Sequence, residues 1–203
     1  MNMFKRVLLS FVGATISALG IACIANSGLG LFGVTAAYLG LSKVTGIPFS
    51  VVSMLVEGLM LAYVCYKGKG IGLASILSCT YMSVLIDVFM VILPHHWSLV
   101  ILGPLTMFGW GVTAICELGE SATCMLTNVF VEEKGKSVTL VRTILEGAYY
   151  AVALLTAREH LSILTLVLLI VTGKLTSMFY NLFKYDPVNA KHSYLIKLNK
   201  EVK

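Results

Sequence analysis

Charge is scarce in this sequence. Charged residues make up 12% of the chain and hydrophobic ones 58%, with a mean hydropathy of +0.89. A soluble globule carries roughly 45–50% apolar and about 25% charged residues. The composition therefore excludes an ordinary soluble domain and describes a polytopic membrane protein, with the lipid bilayer as its first partner. Catalytic signatures are missing as well. There is no nucleotide loop, nucleophile elbow or HExxH, and the glycine-rich stretches at 26–33 and 67–72 lack the spacing that cradles phosphate. Neither enzymatic activity nor a cofactor is expected. The five cysteines (Cys23, Cys65, Cys79, Cys116 and Cys124) are odd in number and form no CxxC, which predicts reduced, packed thiols. His95 and His96 are two adjacent ligands where zinc needs three or four, so no metal is expected. The net charge of +5 sits mainly at the ends of apolar runs. That placement signals topology and not nucleic acid.

The apolar runs predict six spans, at about 7–25, 50–66, 71–93, 98–116, 138–156 and 161–182. Each approaches the roughly 20 residues that cross about 30 Å of hydrocarbon. Pro48, Lys67-Gly68-Lys69-Gly70, Pro94-His95-His96 and Arg158-Glu159-His160 punctuate them. The first run, after Lys5-Arg6, is longer than a signal-peptide core and is read as an uncleaved helix. Residues 183–203 form a basic tail, expected to be cytoplasmic.

One spacing recurs. Leu29-Gly30, Gly46 and Glu57-Gly58 return as Leu118-Gly119, Gly135 and Glu146-Gly147, each 89 positions later without a gap, and Gly20 with Gly109 keeps the register. The echo predicts a single transmembrane domain built from two halves, about 7–93 and 98–182. Two shorter apolar segments, 31–44 and 121–134, take equivalent places in the halves. At 1.5 Å per residue, fourteen residues of helix reach only about 21 Å. They are re-entrant half-helices, interfacial helices or short crossings. Paired short segments of this kind point to the binding site of a transporter.

Charge separates the two topologies. With six spans, Lys5-Arg6, Lys67-Lys69, Lys134-Lys136 and the tail share one side, and Lys43 with Arg158 lie opposite. With eight, Lys67-Lys69 moves outside and the halves become parallel. The positive-inside rule favours six spans, cytoplasmic termini and halves of opposite orientation.

Two glutamates stand in mid-span. Ser50, Ser53 and Glu57 share one face of the second span, and Thr139, Arg142 and Glu146 share the equivalent face of the fifth. A charge at such depth costs about 2.5–3.5 kcal/mol on the insertion scale, so it needs a partner, a proton or water. Arg142 lies one turn from Glu146, so this pair neutralises itself or serves a site. Glu57 has no basic neighbour on its own helix, which makes it the better proton or cation site, or else a packing acid. Lys174 in span six and Arg142 are its candidate partners. Asp87 continues a stripe of Ser75, Cys79 and Ser83 near the outer end of span three, and Glu117 ends span four. Trp97, Trp110, Tyr180 and Tyr185 suit interfacial anchoring. Gly13 and Gly20 mark close packing of the first helix.

Several short motifs carry a family likeness. They are Leu29-Gly30 after span one, Thr45-Gly46 before span two, Ile86-Asp87 with Leu93-Pro94 in span three, and the echo in Leu118-Gly119, Gly135 and Glu146. On these the chain resembles the bacterial YczE/YyaS/YitT-like integral membrane proteins over about residues 10–182. That family typically has Pro and Asp soon after each Leu-Gly, where this chain has Leu31-Phe32-Gly33-Val34 and Glu120-Ser121-Ala122-Thr123. The resemblance implies a multi-pass protein of a bacterial inner membrane. The expected fold is all-α, with six transmembrane helices in two three-span inverted repeats, each with a short re-entrant or interfacial helix. The expected function is small-solute transport through a midplane polar site formed from Glu57, Glu146, Arg142, Asp87, Lys174 and Ser53. The alternatives are a substrate-capture or accessory subunit that needs an energising partner, and a regulatory or scaffold membrane protein. A homo-oligomer fits each of them.

Overall fold

The computed structural model describes residues 2–156, 161–182 and 194–196, without the side chains of Gly173, Thr176, Phe179, Tyr180 and 194–196. The expected break at Arg158-Glu159-His160, Tyr185 and most of the basic tail lie outside these residues, and the anchoring role of Tyr180 rests on a side chain that is not described.

Among the described residues the fold is all-α apart from one two-stranded contact. Helix α1 runs Met3–Ser27, α2 Gly33–Thr45 and α3 Phe49–Tyr66. Helices α4 (Leu73–Leu77) and α5 (Ser83–Ile92) are joined by a π turn over Ser78–Met82. A 3₁₀ stretch at Trp97–Leu102 leads into α6 (Leu105–Ile115), followed by α7 (Ala122–Lys134), α8 (Val138–Thr156) and α9 (Ile163–Leu182). Among the described residues, five helices are long and apolar enough to cross a membrane: Met3–Ser27, Phe49–Tyr66, Leu73–Ile92, Trp97–Ile115 and Val138–Thr156. Helix α9 adds a shorter described apolar stretch, Ile163–Thr172.

The breaks have local causes. Helices α2 and α7 end at Gly46 and Gly135, whose φ values of 71° and 61° reverse the chain in the left-handed region. Pro48 precedes α3, where its missing N–H costs nothing. Glu117 carries a positive φ of 51° without being glycine. Arg6 holds it there, donating to the Glu117 carbonyl and lying 3.3 Å from its carboxylate. Inside the third span, Ser78 Oγ bonds to the Ser75 carbonyl and Thr80 Oγ1 to the Ile76 carbonyl. Such back-bonding competes with the helical ladder and accompanies the π turn.

Helices α1 and α6 cross tightly and antiparallel. Gly13 lies against Thr113, Ser17 against Thr106 and Gly109, Gly20 against Thr106, and Ile24 against Gly103. Helix α2 packs along α8, and α7 along α3, so each short helix lies against a long helix from the other half of the chain. Two contacts join residues 89 positions apart, Ser17 Oγ to the Thr106 carbonyl and Tyr149 Oη to Met60 Sδ.

One end of the bundle gathers Arg6 with Glu117, Lys67 with Glu133 at 2.8 Å, and Lys69 with Glu132. Glu133, and after it Tyr63, holds the Lys67 ammonium above its ordinary pKa. At this end Ile71–Gly72 pairs antiparallel with Tyr194–Ile196. The other end gathers the last turn of α1 and the last turn of α5, tied by Asn26 Nδ2 donating to the Met90 and Leu93 carbonyls.

Candidate functional site

Glu57 is the ninth residue of the eighteen in α3, about 13 Å from either end of that helix at 1.5 Å per residue. Its side chain is buried, and Oε2 has no hydrogen-bond partner. Arg142 and Glu146 sit one turn apart on α8, each 1% exposed, with Arg142 Nη2 3.0 Å from Glu146 Oε1. The guanidinium also lies over the Trp110 ring, 5.2 Å from its centroid. A guanidinium that is desolvated and stacked on indole gains cation–π attraction beyond its ion pair.

Glu57, Arg142 and Trp110 line a cavity with about 30 Å³ open to the centre of a water molecule. Its wall holds Ser53 and Glu57 from α3, Thr35 and Tyr38 from α2, Trp110 from α6, Ser121 and Thr123 at the start of α7, and Arg142 from α8. Tyr38 Oη and Trp110 Nε1 are buried there without hydrogen-bond partners. Unpaired donors and an unpaired carboxylate oxygen facing one small space call for an occupant that both accepts and donates hydrogen bonds.

The short helices explain why the cavity is polar. Helix α2 begins within the bundle, and the backbone of Gly33 comes so close to Glu146 that an added Cβ would lie 2.9 Å from its carboxylate. Ser121 caps the start of α7, its Oγ accepting from the Cys124 N–H. The first turn of α2 thus lies against Glu146, and the start of α7 shares the cavity wall with Glu57. A helix N-terminus carries about half a positive charge, which favours a nearby carboxylate.

The expected residues divide. Glu57, Ser53 and Arg142 line the cavity, with Glu146 paired beside them. Asp87 instead caps α3, accepting from the Ser50 N–H at 3.0 Å. Lys174 is exposed on α9 and does not reach the cavity. Trp110 was expected as an interfacial anchor; it faces inward onto Arg142, while Trp97 is exposed. His96 Nδ1 sits 2.7 Å from Ser98 Oγ in the loop before α6. All five cysteines are free thiols. Tyr38, Thr35, Ser121 and Thr123 were not foreseen. The signal that would have marked them is their place in the first two turns of the two short segments.

The profile of one family of unknown function, DUF6198, matches residues 4–181. The chain belongs to that family. The match covers every helix described above except the ends of α1 and α9, so the cavity is part of the DUF6198 region. No curated protein and no solved structure matches the chain.

Proposed function

We propose that this DUF6198 protein is a permease-like transporter that takes a small solute or ion at a midplane site around Glu57, Arg142 and Glu146. One observation carries the reading. Two short helices begin at one small polar cavity, α2 with its first residue against the buried Glu146 and α7 with its first turn in the wall that holds Glu57. Discontinuous helices of this kind assemble the midplane sites of secondary transporters. Buried ionisable groups within a membrane are rarely kept for packing alone.

The reading includes six spans in two inverted repeats. Helices α1 and α6 are equivalent under the 89-residue offset, and their antiparallel crossing supports inversion. Their contacts are also reciprocal: Gly20 meets Thr106 as Ser17 meets Gly109. In an eight-span parallel arrangement these two helices would run the same way. Arg6, Lys67 and Lys69 at one end of the bundle then mark the cytoplasmic face of a bacterial inner membrane, with both termini there. Kinship with YczE/YyaS/YitT-like proteins belongs to the same proposal, as does the absence of any catalytic step.

The test compares proteoliposomes with protein-free vesicles in a stopped-flow swelling assay, using small neutral solutes and monovalent salts at several pH values. At least one solute should permeate faster through the wild type, with a pH dependence that Glu57→Gln removes and Glu146→Gln alters less. Permeation equal to that of protein-free vesicles throughout would favour the scaffold reading.

A further inference from the structure

A second, smaller cavity adjoins the first. It has about 10 Å³ open to the centre of a water molecule, the space of about one water. Met82, Trp110 and Ser121 belong to the walls of both. The rest of its polar wall is Ser10 and Ser17 from α1, Ser78 from the π turn and Thr113 from α6. Ser10 stands one turn from Arg6, and Thr113 one turn from Glu117. The second cavity therefore lies between the Glu57 cavity and the turns next to the Arg6–Glu117 ion pair, where the Glu117 side chain is half exposed.

The matching positions in the other half of the chain are different. Moving by 89 residues, Ser10 becomes Leu99, Ser78 becomes Val167, Thr113 becomes Ile24, Ser121 becomes Phe32 and Trp110 becomes Ile21. Ile24 fills the space beside Gly103, and Ile21, Ile24 and Phe32 are all buried. Ser17 alone keeps a hydroxyl in its counterpart, the buried Thr106, so the wall is rich in hydroxyls toward one end of the molecule and mostly apolar toward the other.

We propose that this serine-lined branch is a proton entry path, carrying protons through water from the Arg6–Glu117 face to the Glu57 carboxylate. It rests on Glu57 being the titrating member of the site, but it does not require that anything is transported. The step balances simply. A proton leaves hydronium at the Arg6–Glu117 face, hydroxyls and water hand it on, and Glu57 changes from carboxylate to carboxylic acid. Return by the same route restores the ion. The mostly apolar counterpart, with Thr106 as its one hydroxyl, disfavours exchange between Glu57 and the opposite face.

The other titratable and charged groups facing Glu57 are Tyr38 on α2, Cys79 in the π turn, and Arg142 and Tyr149 on α8 with Glu146 beside them. On α5, Asp87 is engaged by the Ser50 N–H, and just before α7 Glu120 bonds Asn128. The test must therefore isolate Glu57. Trp110 lines the same cavity and reports on it, so a Trp97→Phe protein leaves one tryptophan. The probe is a pH jump applied to one face of proteoliposomes of known orientation, with no solute present. Trp110 emission should follow pH at the Arg6–Glu117 face, and Glu57→Gln should abolish the response. Ser10→Val with Ser78→Val should slow it at least tenfold while leaving its midpoint in place. No response, a response to the opposite face, one that survives Glu57→Gln, or one indifferent to the serine changes would overturn the proposal. A pH response without solute permeation would leave a proton site in a protein that does not transport.

Discussion

Arg142→Met lowers the thermal stability of the detergent-solubilised protein by about 3–5 kcal/mol, the usual cost of orphaning one member of a buried ion pair. Arg142 and Glu146 are each 1% exposed and 3.0 Å apart. Without the guanidinium, the Glu146 carboxylate stays beside the Gly33 backbone, and neither of its oxygens has a hydrogen bond. The Trp110 ring loses its cation as well. The double variant Arg142→Met/Glu146→Met removes both charges and should recover most of the loss, because an apolar pair of similar volume is often no worse than a buried ion pair. Melting curves of the singles and the double decide the matter. A single variant as stable as the wild type would mean that water or a rearrangement already solvates the pair.

The second large effect is a change of sign between glycines that look alike in the sequence. Gly20→Ala and Gly109→Ala should each destabilise by about 1–3 kcal/mol through overpacking. An added Cβ on Gly20 would lie 2.5 Å from the Thr106 nitrogen, and one on Gly109 would lie 2.5 Å from the Gly13 carbonyl oxygen. Both obstacles are backbone and cannot step aside. Gly58→Ala and Gly147→Ala should instead stabilise by about 0.5–1 kcal/mol, since both are helical and have nothing within 4 Å of the new carbon. The four variants are compared by melting temperature. If all four shift the same way, the tight crossing of α1 and α6 is not what these glycines serve.

Much of the helix plan was legible because apolar runs and their breaks are local. Pro48, Gly46 and Gly135 stop or start helices by their own backbone chemistry, and the boundaries fall where those residues stand. Gly20, Gly109, Gly46 and Gly135 stand where the chain crosses closely or turns, because glycines that permit a turn or a close crossing leave a readable trace. The π turn was not legible, since it depends on Ser and Thr back-bonding within an unbroken apolar run. In the site, the Ser/Glu stripe and the i,i+4 pair could be read from helix periodicity. Trp110 could not, because its inward direction follows from Arg142 on another helix. Asp87 continued a helical stripe in the same way, yet its partner is the Ser50 amide across the α3–α5 contact. Tertiary neighbours decide such cases.

Thr45 and Lys134 end the two short helices, 89 positions apart, and both are exposed. Opposed halves put them on opposite faces of the membrane; parallel halves put them on the same one. The direct measurement is labelling of Thr45→Cys and Lys134→Cys, in a background without the five native cysteines, by a membrane-impermeant maleimide. Right-side-out vesicles should label position 45 alone and inside-out vesicles position 134 alone. Labelling of both positions from one face would contradict the inverted architecture and the midplane site built on it.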